Sequence, residues 1–272
     1  MFIGIAGTIT VAGPSPDGNS LLFKAHNAGN WKKLAGYPVA WDRHGPALLR
    51  LEGIGLLEIN FGGLHQPLKY GKEALDFLLS RLGIRGNLFG PSHAREGVAG
   101  FIAARKAAKG GRPVAFVFRG EVLPDGQEVL MDPVLLKKSV NYQLLEAGLA
   151  FPVYYEDLLP GLREELTRAC RAARDQELGF WPLDRTNQGV VLDGLQDLTK
   201  RYVIFPKLFR RLGRYLQGNA DLRGFQEYLA ARADPVLHLP TGRATSLAAL
   251  VEVEGNSVRL TAAPEDLVFA EK

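Results

Sequence analysis

"LLRLEGIGLLEINFGG", residues 48–63, is the stretch on which the reading of this chain turns. It opens as a β-strand in which Leu49 and Leu51 share one face and Arg50 and Glu52 the other, because strand side chains alternate. Gly53-Ile54-Gly55 bends the chain, and Gly62-Gly63 turns it. Between them Glu58 stands among apolar neighbours. An arginine in a strand is most often a solvated group, and a lone acid in an apolar run often does no more than cap a turn. Placed eight residues apart around a glycine bend, Arg50 and Glu58 admit two readings, packing or chemistry.

Upstream, "MFIGIAGTITVAG" carries Ile3, Ile5, Ile9 and Val11 with a two-residue period, which predicts a strand rather than a secretory leader. "PSPDGNSLLFKA" predicts a turn running into a second strand. Downstream, "YGKEALDFLLSRLG" repeats Ala74, Phe77, Leu78 and Leu82 at helical spacing and stops at Gly83. "RPVAFVF" and "QEVLM" read as a strand pair about the Pro124-Asp125-Gly126 turn, and "VLLKKSVNYQLLEAG" reads as one helix ending at Gly148. "ARKAAKGGR", basic and glycine-rich, reads as a mobile loop. A further helix, "LLPGLREELTRACRAARDQEL", has an apolar stripe of Leu162, Leu166, Ala169 and Ala173. "GFWPLDRTNQG" follows as a docking segment and linker.

Beyond about residue 189 the pattern changes to two helical stretches and a hairpin turned at Gly255-Asn256. The expected organisation is therefore residues 1–188 as one unit and 189–272 as a helix pair plus hairpin packed on it. With 272 residues, 46% of them hydrophobic, the chain has enough material to bury a substantial core. A net charge of +4 is compatible with an anionic partner without requiring one. Cys170 is the only cysteine, which excludes an intrachain disulfide and a cysteine-rich zinc site and fits a reducing compartment. No stretch has the apolar length to cross a bilayer, so the default expectation is a cytoplasmic protein with no membrane partner. His65 and His93 stand in loops with no partner at metal-binding spacing.

Six stretches taken in order, over about residues 10–185, resemble the staphylococcal-nuclease (thermonuclease) family. "DGNS" resembles its acidic turn, "LRLEGIGLLE" its active-site strand and turn, and "YGKEALDFLL" the helix that follows. "GGRPVAFVF" resembles a later strand entrance, while "SVNYQLLEAGLAFPVYY" and "LREELTRACRAARDQELGFWPLD" resemble the closing helices and tryptophan segment. The resemblance implies an α+β fold with a mainly β core: an OB-like five-stranded barrel with flanking helices, here followed by a C-terminal helical and β-hairpin extension. It also implies Ca2+-dependent hydrolysis of nucleic-acid phosphodiesters.

By the same resemblance Arg50 and Arg112 match the phosphate-binding arginines, Glu58 the glutamate that handles water, and Tyr154 a tyrosine of the substrate pocket. Guanidinium forks suit the charge on a five-coordinate phosphorus, and a carboxylate can orient or deprotonate water. The family's two metal-binding aspartates are replaced by Asn19 and Gly55. Ca2+ takes 6–8 oxygen ligands, so Asn19 and Glu58 alone make a weak site, with Asp17 and Glu52 as the nearest substitutes. Asp17 otherwise reads as a turn former and Glu52 as a surface partner of an arginine.

Two functions of different class follow. The first expectation is a nuclease with altered or absent metal dependence, and the alternative is a degenerate homologue that binds nucleic acid or phosphate without cutting it. In the tail, "FPKLFRRLGRYLQ" sets Lys207, Arg210, Arg211 and Arg214 on one side and Phe205, Leu208, Leu212 and Tyr215 on another. It reads as a surface helix with a solvated basic side, as a track for a nucleic-acid backbone, or as a subunit contact through its aromatic side.

Overall fold

The computed structural model describes residues 1–11, 21–41, 45–84 and 97–271, and in it segment 47–51 is the piece that brings the sheet round on itself. Strand β1 (Phe2–Val11) pairs antiparallel with β2 (Leu21–Ala25). The short β3 (Ala35–Gly36), β4 (Ala47–Leu48), β5 (Arg50–Leu51) and β6 (Ile54–Gly55) follow. After helix α1 (Leu68–Leu82) come the two long strands β7 (Val98–Ala108) and β8 (Arg112–Phe118), paired antiparallel. The hydrogen-bonded order is β4-β2-β1-β7-β8-β5. Because β4 and β5 are consecutive halves of one segment, with Leu49 between them donating its N–H to Leu21 O at 2.8 Å, the two ends of that order meet. The result is a nearly closed, barrel-like sheet at the heart of a mixed α+β structure, flanked by helices.

Side-chain size follows from that curvature. A Cβ on Gly7 would lie 2.4 Å from Lys24 O, so β1 and β2 approach more closely than any larger residue permits. Strand β8 is buried at every position from Pro113 to Phe118. Its other face is packed by α3 (Val140–Glu146), where Asn141 Oδ1 accepts from Val117 N at 3.0 Å. A strand covered on both faces reads as a continuous apolar run, as "PVAFVF" does.

Three local expectations are corrected here. "ARKAAKGGR" is the end of β7 and the β7–β8 turn rather than a mobile loop, since Gly110 and Gly111 both adopt positive φ and reverse the chain at once. Arg105 and Lys106 disguise the strand, but Ala103, Ala104, Ala107 and Ala108 are buried. The partner of β8 is accordingly β7, while β9 (Glu128–Val129) pairs with β1. The helix read across 134–148 is two: Ser139 ends α2 (Pro133–Lys138) and caps α3, its Oγ accepting from Tyr142 N at 3.2 Å. Helix α1 keeps its predicted stop at Gly83, at φ +66°. Helix α4 (Pro160–Asp175) buries the predicted Leu162, Leu166, Ala169 and Ala173.

The rest of the chain is woven into the first part. Strand β10 (Phe151–Pro152) pairs with β6, and β11 (Tyr154–Tyr155) enters a sheet otherwise built from the tail. The tail comprises β12 (Val190–Val191), α5 (Leu195–Lys200), α6 (Pro206–Leu216), α7 (Phe225–Arg232), β13 (Pro235–His238) and β14 (Arg243–Ser246). The hairpin β15 (Val251–Glu254) and β16 (Ser257–Leu260), turned at Gly255-Asn256 as predicted, precedes β17 (Leu267–Phe269). Strand β17 runs parallel beside β11. Phe205 stacks on Phe269 at 6.1 Å and meets Phe151 edge-on at 5.9 Å, so one aromatic cluster spans both parts. Segment 184–186 docks there as well, Thr186 Oγ1 accepting from Phe205 N at 2.9 Å. Among the described residues no helix is long and apolar enough to cross a membrane.

Candidate functional site

The bend after β5, the β7–β8 turn and helix α6 enclose a cleft of about 340 Å³. Arg50, Glu58 and Arg112, far apart in the chain, all line it. Each is placed by backbone geometry. Arg50 ends the segment that closes the sheet, and Arg112 is the first residue of β8, opposite Ala108. Arg112 Nη2 donates to Leu49 O at 2.7 Å, which holds its guanidinium against that same segment. The Arg50 guanidinium lies 4.0 Å above the Tyr155 ring, and its Nη1 donates to Glu271 Oε1 at 3.1 Å.

Glu58 is 4% exposed, and its carboxylate takes a hydrogen bond from Arg210 Nη1 at 2.6 Å. Its loop is held twice more through Gln66, whose Oε1 accepts from Glu58 N at 3.1 Å and whose Nε2 donates to Ile204 O at 2.7 Å. The tail therefore supplies a wall of the cleft and a partner for its acid.

Glu52 overturns its expected place as a surface partner. It is 7% exposed and lines the cleft, because the bend at Gly53 turns the strand end inward, where Glu52 N donates to Ala115 O at 2.9 Å. Burial pushes its carboxyl up to about 7, against the pull of Arg50 and Lys106.

Tyr154 is likewise misplaced by the sequence reading. Its side chain is fully buried and its hydroxyl shares a 2.9 Å hydrogen bond with Thr167 of α4, on the far side of the strand. Burial holds that phenol well above its ordinary range. Strand alternation gives the cleft Tyr155 instead.

Helix α6 corrects the picture of a solvated basic side. Lys207 is 9% exposed, Arg211 grips Asp234 through two hydrogen bonds of 2.7 and 2.8 Å, and Arg210 holds Glu58. Arg214 alone of the four is exposed, its guanidinium 5.0 Å from the Phe61 ring centroid. The other side, offered as a subunit contact, is occupied by the chain's own core: Phe205, Leu208, Leu212 and Tyr215 are all buried. Lys109, Tyr155, Asp234 and Glu271 also border the site, and the sequence reading passed over them. Only Lys109 carried a local signal, the adjoining Gly110-Gly111 turn.

Asp17, Asn19 and His93 lie outside the described residues. Among the described residues no group of three or more His, Cys, Asp or Glu is placed to hold a metal ion. Gly55, where the resemblance expects an aspartate, faces Val153, whose Cγ2 would lie 2.7 Å from an added Cβ. With Glu58 engaged by Arg210 and Glu52 near neutrality, the described donors do not fit a Ca2+ site. Cations nevertheless dominate the lining, Arg50, Lys109, Arg112 and Arg210 against Glu52 and Glu58. Such a surface attracts anions and offers forked donors to phosphate oxygens.

No protein-family model matches the chain, and no curated protein matches it.

Proposed function

We propose that this chain is a staphylococcal-nuclease-like protein, built on an OB-like five-stranded barrel, that binds the phosphate backbone of a nucleic acid in the Arg50–Arg112–Arg210 cleft without depending on Ca2+. The cyclic pairing of segments 2–11, 21–25, 47–51, 112–118 and 98–108 supports the barrel reading. Six motifs in family order support the kinship. Binding is favoured over cleavage by one observation: Arg210, a residue of the extension, occupies the carboxylate of Glu58. A base so engaged is a poor proton acceptor, whereas the guanidinium that engages it adds to the phosphate grip. The single thiol, Cys170, buried and unbridged, fits a cytoplasmic setting.

Cleavage is the second reading, and Glu52 is what favours it. A cleft carboxyl raised to about 7 is suited to general acid–base work at neutral pH. In that reading Glu52 takes a proton from water as the oxygen attacks phosphorus and the P–O bond to the leaving sugar breaks. The Glu52 proton then passes to the departing oxygen, while Arg50 and Arg112 hold the equatorial charge.

Incubation of the purified chain with single- and double-stranded DNA and RNA, with Ca2+, Mg2+, Mn2+ or EDTA, separates the two. The expected result is binding that weakens with salt, by a slope of about 0.7–0.9 per phosphate contacted, with no cleavage under any ion. Arg50→Ala and Arg112→Ala each weaken that binding. Cleavage lost in both Arg50→Ala and Glu52→Gln would establish the hydrolase instead, and absence of binding at low salt would remove both.

A further inference from the structure

Beside the main cleft, and sharing Arg50, Ala108, Lys109 and Tyr155 with it as lining, lies a second lobe of about 240 Å³. Its other walls are Lys207, Arg211, Asp234, Ala270 and Glu271. Both carboxylates there are committed to cations. Asp234 takes two hydrogen bonds from Arg211, and Glu271 is held by Arg50 and Lys106.

Lys207 is in the opposite condition. It is 9% exposed, yet among the described residues none makes a hydrogen bond or ion pair to its ammonium group. Nζ rests on the Phe269 ring, 3.7 Å from the centroid, with the Tyr155 ring centroid 5.4 Å away. Aromatic faces return less to a cation than removing an ammonium from water costs. Its place in the first turn of α6 adds an unfavourable helix dipole. Burial, reinforced by Arg211, Arg210 and Arg50 and opposed by Asp234, pushes the amine down to about 7. An ammonium so placed is one that an anion would stabilise. Lys207 and Arg211, one helical turn apart, both face the space where it would sit.

We infer that this lobe is a second anion subsite, taking the terminal phosphate of an oligonucleotide whose adjoining phosphodiester lies against Arg50, Arg112 and Arg210. The inference rests on the backbone-binding reading above and adds the end group that the cleft selects. Size argues for an end group. The lobe is smaller than the roughly 300 Å³ at which pockets begin to enclose whole small molecules, so it holds a phosphate but not a continuing chain. A phosphomonoester also brings more negative charge than an internal phosphate, which suits a site whose own carboxylates are already taken.

The test is binding of a labelled tetranucleotide in three forms, 5′-phosphorylated, 3′-phosphorylated and with hydroxyls at both ends, to the full chain and to Lys207→Met. Methionine keeps the length of the side chain and suits its apolar surroundings, and Lys207→Gln serves if thermal melting shows Lys207→Met to be misfolded. One of the two end phosphates tightens binding to the wild type about tenfold, equivalent to about 1.4 kcal/mol. That gain disappears in Lys207→Met, which binds the unphosphorylated form as the wild type does. Equal affinity of the wild type for all three forms overturns the subsite while leaving backbone binding intact. So does a variant that loosens all three alike. If no form binds the wild type, the backbone reading fails and the subsite falls with it.

Discussion

Arg210 and Glu58 lie 152 residues apart in the chain and 2.6 Å apart in space. The contact makes the tail part of the cleft, and removing one partner leaves the other charge buried. Arg210→Met therefore destabilises the fold by about 2 kcal/mol, between the cost of an unsatisfied buried group and that of a fully buried broken pair. Glu58→Gln in the Arg210→Met background recovers much of that loss. Urea unfolding of the two single variants and the double variant measures the coupling, and additive losses would show that the pair contributes nothing beyond its parts.

Two groups of the site titrate in opposite senses. Glu52 rises from 4.5 to about 7 on folding, so the stability it contributes is fully present below 4.5 and is lost as pH rises through 7. Lys207 falls from 10.5 to about 7, so its contribution is fully present above 10.5 and is lost as pH falls through 7. Together they give a stability minimum near neutrality. Denaturant midpoints measured across pH should trace that dip, Glu52→Gln removing its acid side and Lys207→Met its alkaline side. A monotonic profile in the wild type would contradict at least one of the two assignments, and the two variants show which.

Gly55 has no room for a side chain, since its Cβ would lie 2.7 Å from Val153 Cγ2. Gly55→Ala costs about 1–3 kcal/mol through overpacking, and adding Val153→Ala restores part of it. Equal melting temperatures for wild type and Gly55→Ala would show that the wall yields freely.

Glu271 competes with any ligand for Arg50, accepting its hydrogen bond at 3.1 Å, and also holds Lys106. Glu271→Gln removes that competition and tightens nucleic-acid binding about threefold, matching the few tenths to 1 kcal/mol typical of an accessible ion pair. Titration at fixed salt is the measurement, and weaker binding in the variant would mean that Glu271 positions Arg50 rather than occupies it.

Cys170 is fully buried, and burial pushes its thiol well above the usual range. Thiol reagents should leave the folded chain unmodified and label it fully in denaturant. Rapid labelling under native conditions would place helix α4 in ready exchange with open states.

How much was legible beforehand depended on whether the signal was local. The first strand, α1 with its stop at Gly83, the stripe of α4 and the hairpin at Gly255-Asn256 were readable because periodicity and turn chemistry are properties of neighbouring residues. The convergence of Arg50, Glu58 and Arg112 came from the family resemblance, since no spacing along the chain encodes it. The resemblance pointed to Tyr154, but its side chain turns to Thr167 of α4, and alternation along the strand puts Tyr155 in the cleft. The alanines of β7 sent no strand signal, and their pairing with β1 and β8 did.

By itself, then, the amino-acid order determined the first strand, α1, the stripe of α4 and the final hairpin, and offered Arg50, Glu58 and Arg112 as charges of the site. Tertiary structure decided what those charges meet. Glu52 became a half-neutral interior acid, Lys207 a buried cation resting on aromatic rings, and Arg210 the partner of Glu58. Charge and period are written in the order of residues, but desolvation and ion pairing depend on distance in space, which exists only once the chain has closed upon itself.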